Sequence, residues 1–308
     1  DANTTASNNT AVGFNALSAV TNISNNTGVG YNALALNTSG ANNVALGSLS
    51  LDANTTGSEN TACGRSSLSA NTSGDNNTAV GRRALGQNTT ADNNTAVGFA
   101  SLGANTTGSE NTAVGRNTLL TNTTGANNTA MGKAALISNT TASNNTAFGY
   151  ETLAANTTGG ANVAVGCLAL DANTTADANT AIGQEALSAN TTGQTNTAVG
   201  ANCLDSNTTA SSNTGVGYLA LRSNTTGAQS VAIGTEALLN NTTASNNVAV
   251  GHQVLKANTT GTGNIGMGRR ALDANISGDH NVGIGQSSLG ANTTADNNTA
   301  VGHEALGA

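Results

Sequence analysis

The stretch Gly98-Phe99-Ala100-Ser101-Leu102-Gly103-Ala104-Asn105-Thr106-Thr107-Gly108-Ser109-Glu110-Asn111-Thr112-Ala113-Val114 is one full period of the chain, and Gly115 opens the next. Its end, Thr112-Ala113-Val114-Gly115, alternates a β-branched residue, a small one, an apolar one and glycine. That period of two reads as a strand with one face inward. The step recurs with glycine at 13, 30, 47, 64, 81, 98, 115, 132, 149, 166, 183, 200, 217, 234, 251, 268, 285 and 302, always seventeen residues apart and without insertion. Positions below are counted from this glycine, and a coil runs from one such glycine to the residue before the next.

Position +4 is leucine in every coil, from Leu17 to Leu306. Position −1 is always apolar (Val12, Leu46, Cys63, Met131, Phe148, Ile182), −2 is Ala or Gly, and −3 is β-branched. Position −4 is Asn except at Ser230, and +7 is Asn except at Val20. Seventeen lies far from a multiple of 3.5, and a β-branched residue beside glycine opposes helix formation. No Asn-Gly or Asp-Gly pair is present to close a tight hairpin. Identical short strands at a fixed interval with polar turns imply coils stacked in parallel, about 4.7–4.9 Å apart.

The expected fold is therefore all-β: a parallel β-solenoid, or β-roll, of eighteen 17-residue coils forming one continuous domain over residues 1–308. At that spacing the stack would be a rod about 85 Å long. The leucine and valine columns are expected to form its core. The asparagines are expected to stack as ladders, since Asn tolerates left-handed turn geometry and identical amides pair in register. The segment Ala19-Val20-Thr21-Asn22-Ile23-Ser24 keeps the coil length but shifts the Asn step, which predicts a locally altered turn.

Composition supports a thin repeated core over an ordinary globule. Aromatics are 2%, charged residues 8%, and proline and tryptophan are absent. A repeat can fold with so little because each coil buries its inner face on its neighbours. The net charge of −7 and an isoelectric point near 4.7 argue against nucleic acid, which requires clustered Lys and Arg. No apolar run reaches the roughly 20 residues of a membrane span. The chain opens inside a repeat at Asp1-Ala2-Asn3-Thr4-Thr5, which reads as part of a longer protein.

Chemistry is sparse. His252 and His303 share position +1 but lie three coils apart, too far to share a metal, and His280 lies in a turn. Asp75, Asp92, Asp177, Asp279 and Asp296 recur at one turn position but lack the calcium-repeat pattern. Cys63, Cys167 and Cys203 fall at three different positions and make no ligand spacing or disulfide framework; Cys63 is expected to replace a core valine. No nucleophile elbow or phosphate loop is present. No enzyme activity, cofactor or metal is expected.

Asn111 to Leu119, with Ser230-Val231-Ala232-Ile233-Gly234 and His303-Glu304-Ala305-Leu306, resembles the head repeats of trimeric autotransporter adhesins. The Asn-Thr-Thr-Gly turns are similar to those of phage tail fibres and of large surface proteins of aquatic bacteria. The resemblance covers the whole chain. It implies a left-handed parallel β-roll that assembles as a trimer, located outside the cell, at its surface or on a virion fibre, and binding host matrix or other surfaces.

Variation concentrates just after the glycine, where Phe14, Tyr31, Arg65, Arg82, Arg83, Phe99, Arg116, Lys133, Tyr150, Tyr218, Arg269 and Arg270 lie. In a solenoid these form a lengthwise stripe, the candidate surface-binding site, since Tyr and Arg are enriched at binding hot spots. Glu151, Glu185, Glu236 and Glu304 in the same stripe mix its charge and fit plain solvent exposure. Asn-x-Thr recurs in the turns, making Asn54, Asn105, Asn190 and Asn292 candidate glycosylation sites. The expectation is an extracellular structural rod or adhesive shaft, with glycans or cell surfaces as partners. Self-association is expected end to end, because no terminal coil reads as a polar cap, or as the homotrimer that the resemblance implies. The alternative is an ice-binding solenoid using threonine arrays.

Overall fold

The computed structural model describes residues 5–307. Eighteen three-residue strands, β1 (Thr10–Val12) to β18 (Thr299–Val301), occupy positions −3 to −1 of successive coils. The chain divides into two compact units, Asp1–Thr158 and Gly159–Ala308. In the first, the nine strands from β1 to β9 (Thr146–Phe148) pair parallel, each with the next, in a register of seventeen residues. In the second, the strands from β10 (Val163–Val165) to β18 do the same. The fold is a parallel β-solenoid of 17-residue coils, as the period predicts. No helix among the described residues is long and apolar enough to cross a membrane.

The strand faces the opposite way from the sequence expectation. The alanines at −2, such as Ala96, Ala113 and Ala232, are fully buried, whereas Val80, Met131, Ile182 and Ile233 at −1 are 38–41% exposed. The core is therefore leucine and alanine, and the valine column lies on the outer sheet face. Cys63 accordingly is exposed, and the buried cysteine is Cys203 at +3. Adjacent coils are too close, and the coil too thin, for two large apolar columns to share the interior. Leucine takes the volume and the strand turns its smallest side chain inward.

The corner glycine has two requirements. Its φ lies between 115° and 142° throughout, in a region that L side chains rarely adopt. Coils also meet there: a Cβ on Gly47 would sit 2.7 Å from the carbonyl oxygen of Gly64. After the corner the chain makes a turn in which +2 is left-handed, and +4 is left-handed too. All eighteen leucines at +4 have φ of 48–55°. The left-handed region costs an ordinary residue roughly 1–2 kcal/mol. Burying a leucine contributes roughly 1.5–3 kcal/mol. Leucine without β-branching is the residue for which that exchange is favourable. Both of its backbone groups are also paired: Leu51 N donates to Ser67 O at 3.0 Å, and Asn54 N donates to Leu51 O at 3.2 Å.

Two asparagine columns carry the rest of the interior. At +7, each Nδ2 donates to the Oδ1 of the asparagine one coil earlier and to the carbonyl three residues on. Asn54 makes these bonds to Asn37 at 2.9 Å and to Gly57 at 2.8 Å. At −4, each Oδ1 accepts the backbone N–H of the asparagine one coil later, as Asn26 does from Asn43 at 2.9 Å, while Nδ2 reaches a carbonyl in the next coil. Buried amides are thus satisfied coil to coil. The segment 19–24 keeps the same succession of turns and bends as other coils, so its backbone is not altered as expected. Its hydrogen bonding is. Val20 is 3% exposed and offers Asn37 no amide oxygen, so the +7 ladder starts one coil later.

Candidate binding surface

The left-handed residue at +2 reverses the chain and leaves the +1 side chain pointing away from the core. Phe14, Tyr31, Phe99, Tyr150 and Tyr218 are 41–67% exposed, and Arg65, Arg82, Arg83, Arg116, Lys133, Arg269 and Arg270 are exposed as well. The stripe is real as a set of outward positions in each unit. Its chemistry differs between them.

In the first unit the +1 residues stack. The rings of Phe14 and Tyr31 lie 5.6 Å apart at an interplanar angle of 9°. The Arg82 and Arg116 guanidinium groups sit over the Phe99 ring at 5.7 and 5.9 Å. They come from the coils before and after it, so the ring is held between two cations. The Lys133 ammonium stands 4.9 Å from the Tyr150 centroid. Beside the stripe, Gly86 and Gly103 at +5 leave an open groove of about 490 Å³, bordered by Ser66, Arg83, Leu120 and Thr121. The signal for that groove lay in the sequence, as two consecutive glycines at a position that carries a side chain in every other coil except those of Gly290 and Gly307.

In the second unit three of the four Lys and Arg pair with carboxylates. Lys256 Nζ donates to Glu236 Oε2 at 2.6 Å, Arg270 Nε to Asp273 Oδ2 at 2.6 Å, and Arg222 Nε to Asp205 Oδ2 at 3.4 Å. Hydrogen bonds from Lys256 and then Gln253 hold the Glu236 carboxyl below its usual value. His303 Nε2 lies 3.8 Å from Glu304 Oε1. Tyr218 and Arg269 are also exposed in this unit.

The turn residues are occupied by structure. Nδ2 of Asn54, Asn105 and Asn190 is buried and bonded within the +7 column; Asn292 is partly buried but makes the same bond, to Asn275 at 2.8 Å. A sugar on Nδ2 and the closed column exclude one another. The recurring aspartates accept backbone N–H groups from the preceding coil: Asp75 from Ser58 at 2.6 Å, Asp92 from Asp75 at 2.7 Å, and Asp279 from Thr262 at 2.7 Å. Ser109 and Ser245 do the same with their hydroxyls. Aspartate and serine alternate there because both can accept this bond. The threonines at +8 donate to the carbonyl one coil on, as Thr55 does to Thr72 at 2.9 Å. Among the described residues no group of His, Cys, Asp and Glu could hold a metal ion. The Cys203 thiol, pushed up to about 12 chiefly by burial, is a packing group and not a nucleophile.

Position +3 faces −2 across the coil, a relation the sequence reading missed. Ser101 Oγ bonds Ala113 O at 2.9 Å, twelve residues on. In two coils a larger +3 residue goes with a smaller facing one, Cys203 with Gly215 and Val254 with Gly266, whereas Thr118 and Thr152 keep alanine at Ala130 and Ala164. A Cβ on Gly215 would lie 2.5 Å from Cys203 Sγ. The signal was the coincidence of an unusual +3 residue and a −2 glycine within one coil. Compared with protein-family models and with curated proteins, the chain matches none.

Proposed function

We propose that the chain is a structural shaft of an extracellular surface assembly, in which stacked coils serve as a stiff support and the outward columns make repeated contacts. The observation that carries this reading is where the polar groups go. Interior amides, turn carboxylates and turn hydroxyls bond from coil to coil, so the side chains left to meet a partner are the outward ones. The −1 column on the outer sheet face is an apolar line within each unit, with Leu46, Val80 and Met131 in the first and Ile182, Ile233 and Met267 in the second 38–42% exposed. Extended exposed apolar surface marks interaction sites. A second copy of this chain has the same rise per coil and meets such a line in register. Adhesion through repeated weak contacts and trimeric assembly, as the resemblance implies, are consistent with this arrangement. Sedimentation of the native chain over a range of concentrations is the test. A particle of several chains that dissociates when Val80 and Ile233 are changed to Lys supports the reading; a compact monomer at every concentration overturns it.

A second reading, ice binding, is favoured by the same outer face. Thr78 and Thr95 at −3 stand beside Val80 and Val97 at −1 in a regular Thr-x-Val array on paired strands. This array differs from the turn threonines, whose +8 hydroxyls are taken up by neighbouring carbonyls. Thermal hysteresis that Thr95→Lys abolishes is the expected sign, and its absence at high protein concentration excludes the reading.

A further inference from the structure

Arg65, Arg82, Arg116 and Lys133 occupy +1 in four of five successive coils, and Phe99 fills the fifth. Arg83 stands beside Arg82, on the border of the groove. None of these five cations is in an ion pair among the described residues, although three of the four Lys and Arg of residues 159–308 are. The segments Gly64–Asn71, Gly81–Asn88, Gly98–Asn105, Gly115–Asn122 and Gly132–Asn139 contain no Asp or Glu. The carboxylates of these coils, Asp75, Asp92 and Glu110, lie in the other turn segment, where the two aspartates accept backbone N–H groups. The result is a cationic strip without an acid in its own turn segments, ending against Glu151 in the coil after Lys133, within a chain whose net charge is −7.

The strip is also pre-arranged. Phe99 holds the guanidinium groups of Arg82 and Arg116 on its two faces, and Tyr150 holds the Lys133 ammonium. Cations fixed against rings lose less freedom when a ligand arrives. They repeat at the coil rise of about 4.7–4.9 Å, with one rise skipped at Phe99. A duplex presents phosphates about 3.4 Å apart along each strand, which this rise does not match. Single-stranded nucleic acid binds by stacking bases on aromatic faces, and both faces of Phe99 are covered by arginine. Alternate side chains of an extended acidic peptide advance about 6.6–6.8 Å, again out of step. A 1,4-linked pyranose chain turns about its glycosidic bonds, so its anionic groups can reach successive or alternate cations without a fixed same-face repeat. Its hydroxyls suit the open groove bordered by Ser66 and Thr121.

We infer that the strip from Arg65 to Lys133 binds a linear acidic polysaccharide, running along the coil stack with its carboxylate or sulfate groups on Arg65, Arg82, Arg116 and Lys133. This rests on the shaft reading and names what one face of the shaft holds. Planar guanidinium groups bind such anions through two parallel N–H···O bonds.

The test is titration of the full chain with size-defined 1,4-linked galacturonate oligomers and with sulfated oligosaccharides of equal length. A neutral glucan and a single-stranded oligonucleotide serve as comparators. The wild type is expected to bind an acidic oligosaccharide with salt-sensitive affinity and to ignore the glucan. Replacing Arg65, Arg82, Arg116 and Lys133 with Gln is expected to weaken binding about tenfold or more, a loss of roughly 1.4 kcal/mol or more. Replacing Arg222, Lys256, Arg269 and Arg270 removes the same charge and is expected to change affinity less than about twofold. Phe99→Ala, which frees two arginines without changing charge, is expected to fall between. Circular dichroism and the melting temperature check that every variant folds. Equal losses in both quadruple variants, tighter binding of the oligonucleotide, or no binding of either acidic oligosaccharide by the folded wild type overturns the inference. Binding of only the sulfated or only the uronate series assigns the anion. Sedimentation of the same samples separates the two proposals, since the shaft reading fails on oligomeric state and this one on the isotherm.

Discussion

The two units share an interior and differ at the surface. In residues 5–158 the position after the corner glycine carries rings and unpaired cations that hold one another, Arg82 and Arg116 on Phe99 and Lys133 on Tyr150. In residues 159–307 the neighbouring outward positions carry Glu236, Asp205 and Asp273, and three of the four cations there pair with them. Beneath both surfaces lie the same buried leucines, the same asparagine ladders and the same left-handed backbone positions. One interior therefore supports two outward chemistries, because the coil places no demand on +1 beyond pointing outward. Exposed ion pairs contribute only about 0–1 kcal/mol each, so the second surface is not a major source of stability. What separates the units is the set of side chains each presents outward.

The largest expected effect tests the shared interior. Leu136→Ala and Leu255→Ala each remove a fully buried side chain from an equivalent column. Each is expected to cost about 2–5 kcal/mol, by lost burial and the cavity left behind. Denaturant unfolding of the two variants should give similar losses; a loss confined to one unit breaks the claim that the interiors are equivalent.

Next in size is a packing difference within the interior. Gly215→Ala drives a methyl into Cys203 Sγ, and is expected to cost about 1–3 kcal/mol by overpacking. Cys203→Ala should rescue it, because an Ala at +3 facing an Ala at −2 is the ordinary arrangement, as at Ala84 and Ala96. At Gly28 in the first unit a Cβ would meet Leu17 Cγ and the Ala33 carbonyl oxygen at 3.2 Å, so Gly28→Ala should cost less. A double-mutant cycle on 203 and 215 measures the coupling; an additive result removes the compensation.

The period of seventeen was enough for strand position, parallel register and both asparagine ladders, because each depends on identical residues meeting in identical places. Which strand face turns inward was not legible. Thr95-Ala96-Val97 alternates equally well either way, and the hydrophobic rule favours burying valine. Closeness of the coils decides against it, since the leucine of the same coil already fills the space, as Leu17 does against Gly28, and only a side chain as small as that of Ala96 fits there. Left-handed leucine was illegible for a similar reason, as local preference opposes it and only burial of the column explains it. The stripe was legible as variation. That its first half is a fixed cation array required the ring distances.

A smaller gain is expected from repairing the second unit's ladder. At Ser230 the −4 column loses an amide: Asn247 N reaches the Ser230 hydroxyl at 3.3 Å, against 2.8 Å from Asn264 N to the Asn247 oxygen. Ser230→Asn restores a short acceptor and adds an Nδ2 donor. Buried hydrogen bonds contribute about 0.5–1.5 kcal/mol net, so the variant should be more stable by an amount in that range. Thermal unfolding beside the wild type checks it, and a loss of stability would show that the coil has closed around serine.

The smallest effect belongs to Asp52 in the first unit and depends on pH. Its Oδ1 is buried without a hydrogen-bond partner, and burial raises its pKa above the ordinary aspartate value. The folded chain therefore binds this proton more readily than the unfolded chain. Its contribution to stability is favourable and full below the unfolded pKa, and is lost as pH rises through the folded one. At neutral pH the ionised carboxylate is a small burden on the fold. Asp52→Asn removes the charge and is expected to raise the melting temperature slightly at pH 7. The gain should disappear as the pH falls below the aspartate range, where the wild-type carboxyl is itself neutral. Melting curves of both proteins across that interval should converge on the acid side; a gap independent of pH would mean that shape and not charge separates the two side chains.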